Sequence, residues 1–279
     1  MEGSVFLLDE GGGLRALKGE PYASEDFLQE LIERYPQLLA GEQMDPEEPR
    51  RWLLVSREFG VPGEQDGSNR WSLDHLFLDQ DGIPTLVEVK RSSDTRIRRE
   101  VVGQMLDYAA NGLVYWPPEG IRQQYEFRVQ AAGADPEQEL LAEFRWDRGY
   151  EEYWQTVKRN LQAGKVRLVF VADVIPNELK RIVEFLNEQM NQAEVLAIEV
   201  KQYSGPGVRT LVPRVLGITA GAERAKGTPR SDRPWDQGRF FGEIEQKHGP
   251  TAAAAARSLY EWAKPQSSRI YWGKGAQSG

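Results

Sequence analysis

The chain has 279 residues, of which 40% are hydrophobic and 28% are charged, as is typical of a globular protein with a full-sized core. It contains no cysteine, which excludes disulfides and thiolate metal sites, and its two histidines, His75 and His248, are too few for a histidine-rich zinc site. Any metal would therefore be held by oxygen, which favours Mg²⁺ or Mn²⁺. The net charge of −8 means that a polyanion would have to meet a local basic strip.

The hydropathy pattern contains no membrane-crossing segment. Residues 1–10 have no basic stretch followed by an apolar one, and the longest apolar run, residues 166–175, is far too short to span a bilayer. We therefore expect a cytoplasmic protein with no membrane partner.

The N-terminal region combines a hairpin signal with a helix signal. Residues 5–8 and 14–17 are apolar and flank a run of glycines, which predicts a hairpin appendage over residues 1–19. Ser24 then provides a helix cap with acidic residues in the first turn. The amphipathic helix that follows is predicted to end at Pro36.

A sheet is predicted next. The pattern indicates three strands, over residues 52–59, 72–79 and 84–91. An Asp-Gly turn joins the last two strands, so the sheet is expected to be locally antiparallel. A helix is predicted over residues 96–111, and Gly112 is predicted to close it.

The second half of the chain alternates further helices and strands. Residues 119–163 indicate two or three helices. A strand, helix, strand, strand order follows, over residues 167–172, 177–190, 195–202 and 209–216. Residues 218–235 lack periodicity and are predicted to be a linker. The region 236–279 then forms a small module with two short helices, 237–247 and 251–264, and is expected to be cut short.

Three polar residues on the predicted hairpin are the candidate site residues. Residues two apart on a strand share a face, so Glu88 and Lys90 point the same way, whereas Val87 and Val89 are predicted to point into the packed side. Asp74 lies on the partner strand and could bring its carboxylate near that of Glu88. Two facing acids repel each other unless a cation lies between them, which predicts a cation site.

This order of residues resembles the PD-(D/E)XK nuclease superfamily, whose core holds Asp and Glu-x-Lys on adjacent strands. Leu73 stands where the superfamily's name has proline. Gln104 and Tyr108, on the next helix, resemble the Gln-x-x-x-Tyr motif of its exonuclease branch. The resemblance covers residues 21–217, looks closest to uncharacterised bacterial members, and is interrupted by a helical insertion over residues 113–164.

The resemblance implies an α/β fold with a restriction-endonuclease-like core, in which helices flank a mixed central sheet. That core would occupy residues 20–217, with the helical insertion and a small C-terminal helical module added. The implied activity is metal-dependent hydrolysis of phosphodiester bonds in nucleic acid, with DNA the expected substrate, in defence or repair.

The resemblance also implies roles for individual residues. Asp74, Glu88 and the Val89 carbonyl would hold Mg²⁺ (or Mn²⁺), and Lys90 would orient the attacking water. Further predicted site residues are Gln104 and Tyr108, which would position the nucleic-acid strand or the lysine, and the carboxylates Glu25, with Glu30 as second choice, and Glu58. A basic strip for phosphate contacts directly follows the site: Arg91, Arg96, Arg98 and Arg99.

Several alternatives remain open from the sequence. Gln104 and Tyr108 could be the polar shoulder of an amphipathic helix, and Glu25 could be an ordinary N-terminal helix charge. Glu58 could simply face solvent or an arginine, and part of the arginine run could be a solvated surface. A second Glu-x-Lys, at Glu199 and Lys201, lacks the accompanying motifs and is interpreted as a solvated strand face. His75 is interpreted as structural, and the aromatic residues 150–154 as core of the insertion.

Two competing functions also remain. The fold could be a catalytically silent nucleic-acid-binding or assembly module, because fold does not imply activity. The C-terminal module could instead dock a partner, so that the chain works as a homodimer or in a larger complex.

Overall fold

The computed structural model describes residues 5–8, 11–63, 69–94, 100–219 and 237–264. The chain divides into two compact units, residues 1–225 and 226–279. In the described part of the first unit, helices flank a mixed sheet of eight strands, which confirms the predicted α/β class.

The strands and helices follow the predicted order. The strands are β1 (Val5–Leu8), β2 (Leu14–Gly19), β3 (Trp52–Pro62), β4 (Asn69–Asp79), β5 (Pro84–Lys90), β6 (Val166–Ala172), β7 (Ala193–Gly205) and β8 (Val208–Leu216). The helices are α1 (Glu25–Arg34), a 3₁₀ turn (Pro36–Leu39), α2 (Gly41–Met44), α3 (Glu100–Tyr115), α4 (Pro118–Ala131), α5 (Pro136–Phe144), α6 (Tyr150–Gln162), α7 (Asn177–Gln189) and α8 (Gln237–Ala263).

The sheet combines antiparallel edges with a parallel centre. Its order is β1-β2-β7-β6-β5-β4-β3, and β8 pairs with β7 off this path. β5, β6 and β7 are parallel to one another, whereas β3, β4 and β5 form an antiparallel meander. The N-terminal hairpin joins the same sheet, because Lys18 and Gly19 of β2 pair with Ser204 and Tyr203 of β7.

Both faces of the central strands are covered, so all of β5 is buried. On one face, Val87 and Val89 pack with Leu28 and Ile32 of α1. The other face packs on the large core that includes α3, the helical insertion and α7. Side chains of β5 alternate between the two faces, as predicted. The face that carries Glu88 and Lys90 is also closed to solvent, because Glu88 is 1% exposed and Lys90 is 7% exposed.

The three helices α4, α5 and α6 match the prediction of two or three helices over residues 119–163, whereas the predicted end of α3 differs. Helix α3 continues through Gly112 to Tyr115, so the prediction that this glycine closes the helix is wrong. A Cβ at Gly112 would lie 2.6 Å from the Trp116 ring, so the glycine allows close packing instead. The aromatic residues 150–154 are core, as predicted: Tyr150, Tyr153 and Trp154 are buried.

The second unit contains two helical segments that meet at a kink. Gly249 has a φ of +83° and Pro250 follows it, so α8 is two helices, close to the two that were predicted. The Phe241 and Tyr260 rings pack edge to face with centroids 5.5 Å apart. The predicted linker lies mostly outside the described residues. No helix in the described part of the chain combines the length and apolar character that a membrane span requires.

A fully buried histidine connects α1 to the sheet. His75 Nε2 lies 3.1 Å from the Gln29 carbonyl oxygen, which can only accept, so Nε2 carries the proton. Its Nδ1 is buried without a hydrogen-bond partner among the described residues. Burial lowers the pKa of His75 to about 4, so the neutral ring is the form that the fold favours.

Acidification should therefore destabilise the chain through His75. The pKa of His75 is depressed below the ordinary value of 6.5, so its contribution to stability is present above pH 6.5 and is lost as the pH falls towards 4. The full effect is about 3 kcal/mol. In urea unfolding, the wild type and the His248→Gln control, whose substitution lies on the exposed His248, should lose this much more free energy of unfolding on acidification than His75→Gln does. Equal pH dependence in all three chains would contradict this account.

Candidate active site

The site forms where two strands part. At this end, the β4–β5 ladder stops at the pair His75–Val87. The Val89 N–H donates instead to the Asp74 carboxylate, at 2.7 Å. A side-chain oxygen of β4 therefore takes the place of a backbone acceptor.

The Lys90 ammonium lies among three carboxylates. Its Nζ is 2.9 Å from Glu88 Oε1, 3.1 Å from Glu25 Oε1 and 4.0 Å from Asp74 Oδ2. It also donates to the Val89 carbonyl at 2.9 Å. These four side chains, Glu25, Asp74, Glu88 and Lys90, are the Lys90 cluster. The structure thus brings together the predicted strand residues and the predicted helix glutamate.

The helix cap explains how Glu25 reaches the cluster. Ser24 Oγ accepts the N–H of Phe27 at 3.0 Å, which starts α1 at Glu25. The first turn of α1 therefore meets the end of β5. Glu30, the second choice from this helix, is exposed.

Negative charge exceeds positive charge inside the Lys90 cluster. Burial and the charge of Asp74 raise the pKa of Glu88 to about 7. Burial also raises the pKa of Asp74, although Lys90 opposes the shift. Burial by itself would lower the pKa of Lys90, but the charges of Glu88 and Asp74 outweigh it and raise the pKa. The site therefore favours an additional positive charge, whether a proton or a cation.

The donor set suits a hard divalent cation. Glu88 Oε2 is buried and has no hydrogen-bond partner among the described residues, so it is available as a ligand. The surrounding donors are carboxylates and a carbonyl, which magnesium and manganese prefer. Within the described residues, no three histidine, aspartate or glutamate side chains are placed as ligands of one ion. The fit therefore rests on Asp74, Glu88 and the Val89 carbonyl.

Gln104 and Tyr108 lie on α3 and are anchored to β4. Gln104 Nε2 donates to the Tyr108 hydroxyl, which in turn donates to the Ser72 carbonyl at 3.1 Å. Burial and the charges of Glu88 and Asp74 raise the pKa of Tyr108. The charges of the Lys90 cluster therefore act on Tyr108. The hydrogen bonds of Gln104 and Tyr108 hold the pair against β4, close to Asp74.

The remaining predicted site residues have other surroundings. Glu58 is exposed, has a φ of +52°, and its charge acts on the neighbouring Arg57. Arg91 Nη1 donates to the Ala23 carbonyl at 3.3 Å, so it connects the end of β5 to the start of α1. The other predicted phosphate contacts lie outside the described residues: Arg96, Arg98 and Arg99.

Gln29 is a site residue that the sequence analysis did not identify. It is 8% exposed, its Oε1 accepts from Arg57 Nη2 at 2.9 Å, and a hydrogen bond from its side chain lowers the pKa of Asp74. It lies four residues after Glu25, one helical turn along α1. That spacing was the available signal, because such residues share a helix face.

The second Glu-x-Lys differs in part from its prediction. Glu199 was interpreted as solvated, but it is 7% exposed, and its Oε2 accepts the Ile175 N–H at 3.1 Å. Its other oxygen lies 3.7 Å from Lys201 Nζ. The interpretation is wrong for Glu199, because the loop after β6 covers it.

Comparison of the chain with known proteins finds no matching family model, curated protein or solved structure. A functional proposal must therefore rest on the residues and their geometry.

The raised pKa of Glu88 leads to a stability prediction. The neutral acid is the form that folding favours, so the contribution of Glu88 is complete below about pH 4.5 and is lost as the pH rises through about 7. In EDTA at pH 8, Glu88→Gln should raise the free energy of unfolding by on the order of 3 kcal/mol, with no gain at pH 4.5.

Urea unfolding of the wild type, Glu88→Gln and Glu20→Gln would check this. Glu20 is exposed, so its substitution should leave the pH dependence unchanged. A Glu88→Gln chain less stable than the wild type at pH 8 would show that the Lys90 ion pair outweighs the burial of the charge.

Proposed function

We propose that this chain is a Mg²⁺- or Mn²⁺-dependent nuclease with a PD-(D/E)XK-type centre at Asp74, Glu88 and Lys90, which hydrolyses phosphodiester bonds in nucleic acid. DNA is the proposed substrate, and defence or repair the proposed setting. One observation carries the proposal: three carboxylates from three elements converge on the Lys90 ammonium where β4 and β5 part.

The acidic residues of the site have the role of holding the ion. Asp74, Glu88 and the Val89 carbonyl would be its ligands. When bound, a divalent ion polarises the phosphate and lowers the pKa of a coordinated water. Val89 already links the two strands, because its N–H binds Asp74. The ligands are thus fixed relative to one another by the backbone of β5.

Lys90 supplies the positive charge that belongs to the chain itself. Its raised pKa keeps the amine protonated throughout the physiological pH range. A protonated amine can donate a hydrogen bond to the attacking water and stabilise negative charge that develops on the phosphate oxygens. Glu25 positions this ammonium from the α1 side, at 3.1 Å. Gln104 and Tyr108 support the β4 backbone next to Asp74.

One observation favours a second candidate, a catalytically silent binding or assembly module of the same fold. Lys90 neutralises part of the carboxylate charge through contacts within the chain. A buried ion-pair cluster can have a purely structural role. In that case, removing one partner would destabilise the fold, and there would be no catalytic activity to lose. The two candidates differ in whether Mg²⁺ binds and whether phosphodiester bonds are cleaved.

The proposal predicts Mg²⁺-dependent cleavage that requires the Lys90 cluster. Labelled single-stranded DNA, double-stranded DNA and RNA would be incubated with the wild type, Asp74→Ala and Lys90→Ala. Both variants should lose activity by roughly two orders of magnitude or more, because each removes charge stabilisation at the reacting phosphate. Lys201→Ala removes the lysine of the other Glu-x-Lys, is the matched control, and should retain activity.

Metal binding gives an independent measurement. Mg²⁺ at 100 times its Kd should stabilise the wild type by about 2.7 kcal/mol, and Asp74→Ala should lose this gain. Equal cleavage by the wild type, Asp74→Ala and Lys90→Ala would remove the assignment. If Mg²⁺ neither stabilises the wild type nor supports cleavage by it, the catalytically silent module is the candidate that remains.

A further inference from the structure

Three carboxylates on or directly after neighbouring strands, near the level where β5 and β6 end, each accept a backbone N–H from another segment. The pairs are Asp74 with Val89, Asp173 with Ser92, and Glu199 with Ile175. The first belongs to the Lys90 cluster. The other two lie outside it, and of these the Asp173 pair is nearer to Lys90 along the chain.

Asp173 holds the segment that leaves β5. Its Oδ1 accepts the Ser92 N–H at 2.6 Å, and its Oδ2 accepts the Ser92 hydroxyl at 2.9 Å. Oδ1 also accepts the Val174 N–H at 3.0 Å. Asp173 is 7% exposed, whereas Ser92 is exposed. A buried carboxylate thus fixes an exposed residue two positions after Lys90.

Arg91 lies between Lys90 and this fixed point. Lys90 pairs with Ala172 in the parallel ladder, directly before Asp173. The Arg91 carbonyl closes a turn by accepting the Asp94 N–H at 2.9 Å, and its guanidinium reaches the Ala23 carbonyl at the start of α1. The backbone of Arg91 is therefore held on both sides, and its guanidinium lies at the start of α1, against a carbonyl two residues before Glu25.

We propose that Asp173 is a positioning residue for Arg91, and that through Arg91 it sets the affinity of the chain for a phosphodiester backbone. This inference rests on the proposed function, because it assigns Arg91 a phosphate of the nucleic-acid substrate. An exposed segment after a strand frays unless its backbone is bonded. The Ser92 contacts prevent fraying at the residue that follows Arg91.

The test measures equilibrium binding of fluorescent single- and double-stranded DNA by the full chain, in EDTA and at several salt concentrations. Asp173→Ala should weaken binding roughly five-fold and reduce the slope of log affinity against log salt by about 1, as expected for one lost phosphate contact. Arg91→Ala should do the same. The double variant should be no weaker than Arg91→Ala, since coupled residues are not additive.

Two further variants separate positioning from stability. Asp173→Asn should restore most of the affinity, because an amide oxygen can accept the Ser92 N–H while the amide nitrogen donates to the Ser92 hydroxyl. Ser92→Ala removes only the hydroxyl contact of an exposed residue and should show a partial loss. Glu199→Ala is the matched control, since Glu199 is equally buried and also accepts a backbone N–H. It should retain the affinity and the salt slope.

The outcomes distinguish this inference from the proposed function. If the wild type binds DNA and Arg91→Ala weakens binding, but Asp173→Ala and Ser92→Ala bind like Glu199→Ala, only the role of Asp173 is overturned. If Arg91→Ala binds as tightly as the wild type, the assignment of Arg91 to phosphate is overturned. If the wild type binds neither DNA, nucleic-acid binding itself is overturned, whatever the variants do.

Discussion

The arrangement of the site depends on one buried ammonium group. Lys90 is 7% exposed, and a charge so removed from water needs partners. Those partners come from three separate elements: Glu25 from α1, Asp74 from β4 and Glu88 from β5. Lys90 therefore fixes where the helix meets the two strands. The same contacts leave more negative than positive charge at that point, and the proposed cation site rests on this excess.

The opposite end of the same strands shows a different balance. There, Arg167 contacts Asp79 at 2.9 Å and also Glu194, while Arg50 contacts Asp81. Each of these carboxylates has a guanidinium in contact, and Asp79 also accepts two backbone N–H groups. The two ends of one sheet thus hold buried ions in opposite ways. In the first network every acid contacts an arginine, whereas three acids around one lysine leave an excess of negative charge.

The sequence predicted those parts of the site that are close along the chain. Glu88 and Lys90 share a strand face, and the Asp-Gly hairpin brings Asp74 opposite them, so local patterns were sufficient. Glu25 came from the family resemblance, and the cap at Ser24 predicted only where its helix begins. Gln29 was missed and Glu199 was misjudged because their environments depend on long-range packing: α1 against β4 in the first case, and the loop after β6 in the second. Gly112 was misread because its neighbour is the ring of Trp116, not a helix end.

The topology explains why acidic side chains lie close together where the central strands β5 and β6 end. β5, β6 and β7 run parallel, and the carboxyl ends of β5 and β6, Lys90 and Ala172, lie level with Glu199 in the middle of β7. In open α/β sheets such ends are where ligands bind. The segments that leave β5 and β6 have backbone N–H groups without strand partners, and Asp173 and Glu199 accept those of Ser92 and Ile175. Acidic residues are thus required there for structure before any cation is considered. The proposed metal centre would use one such carboxylate, Asp74, together with Glu88 on the adjacent strand.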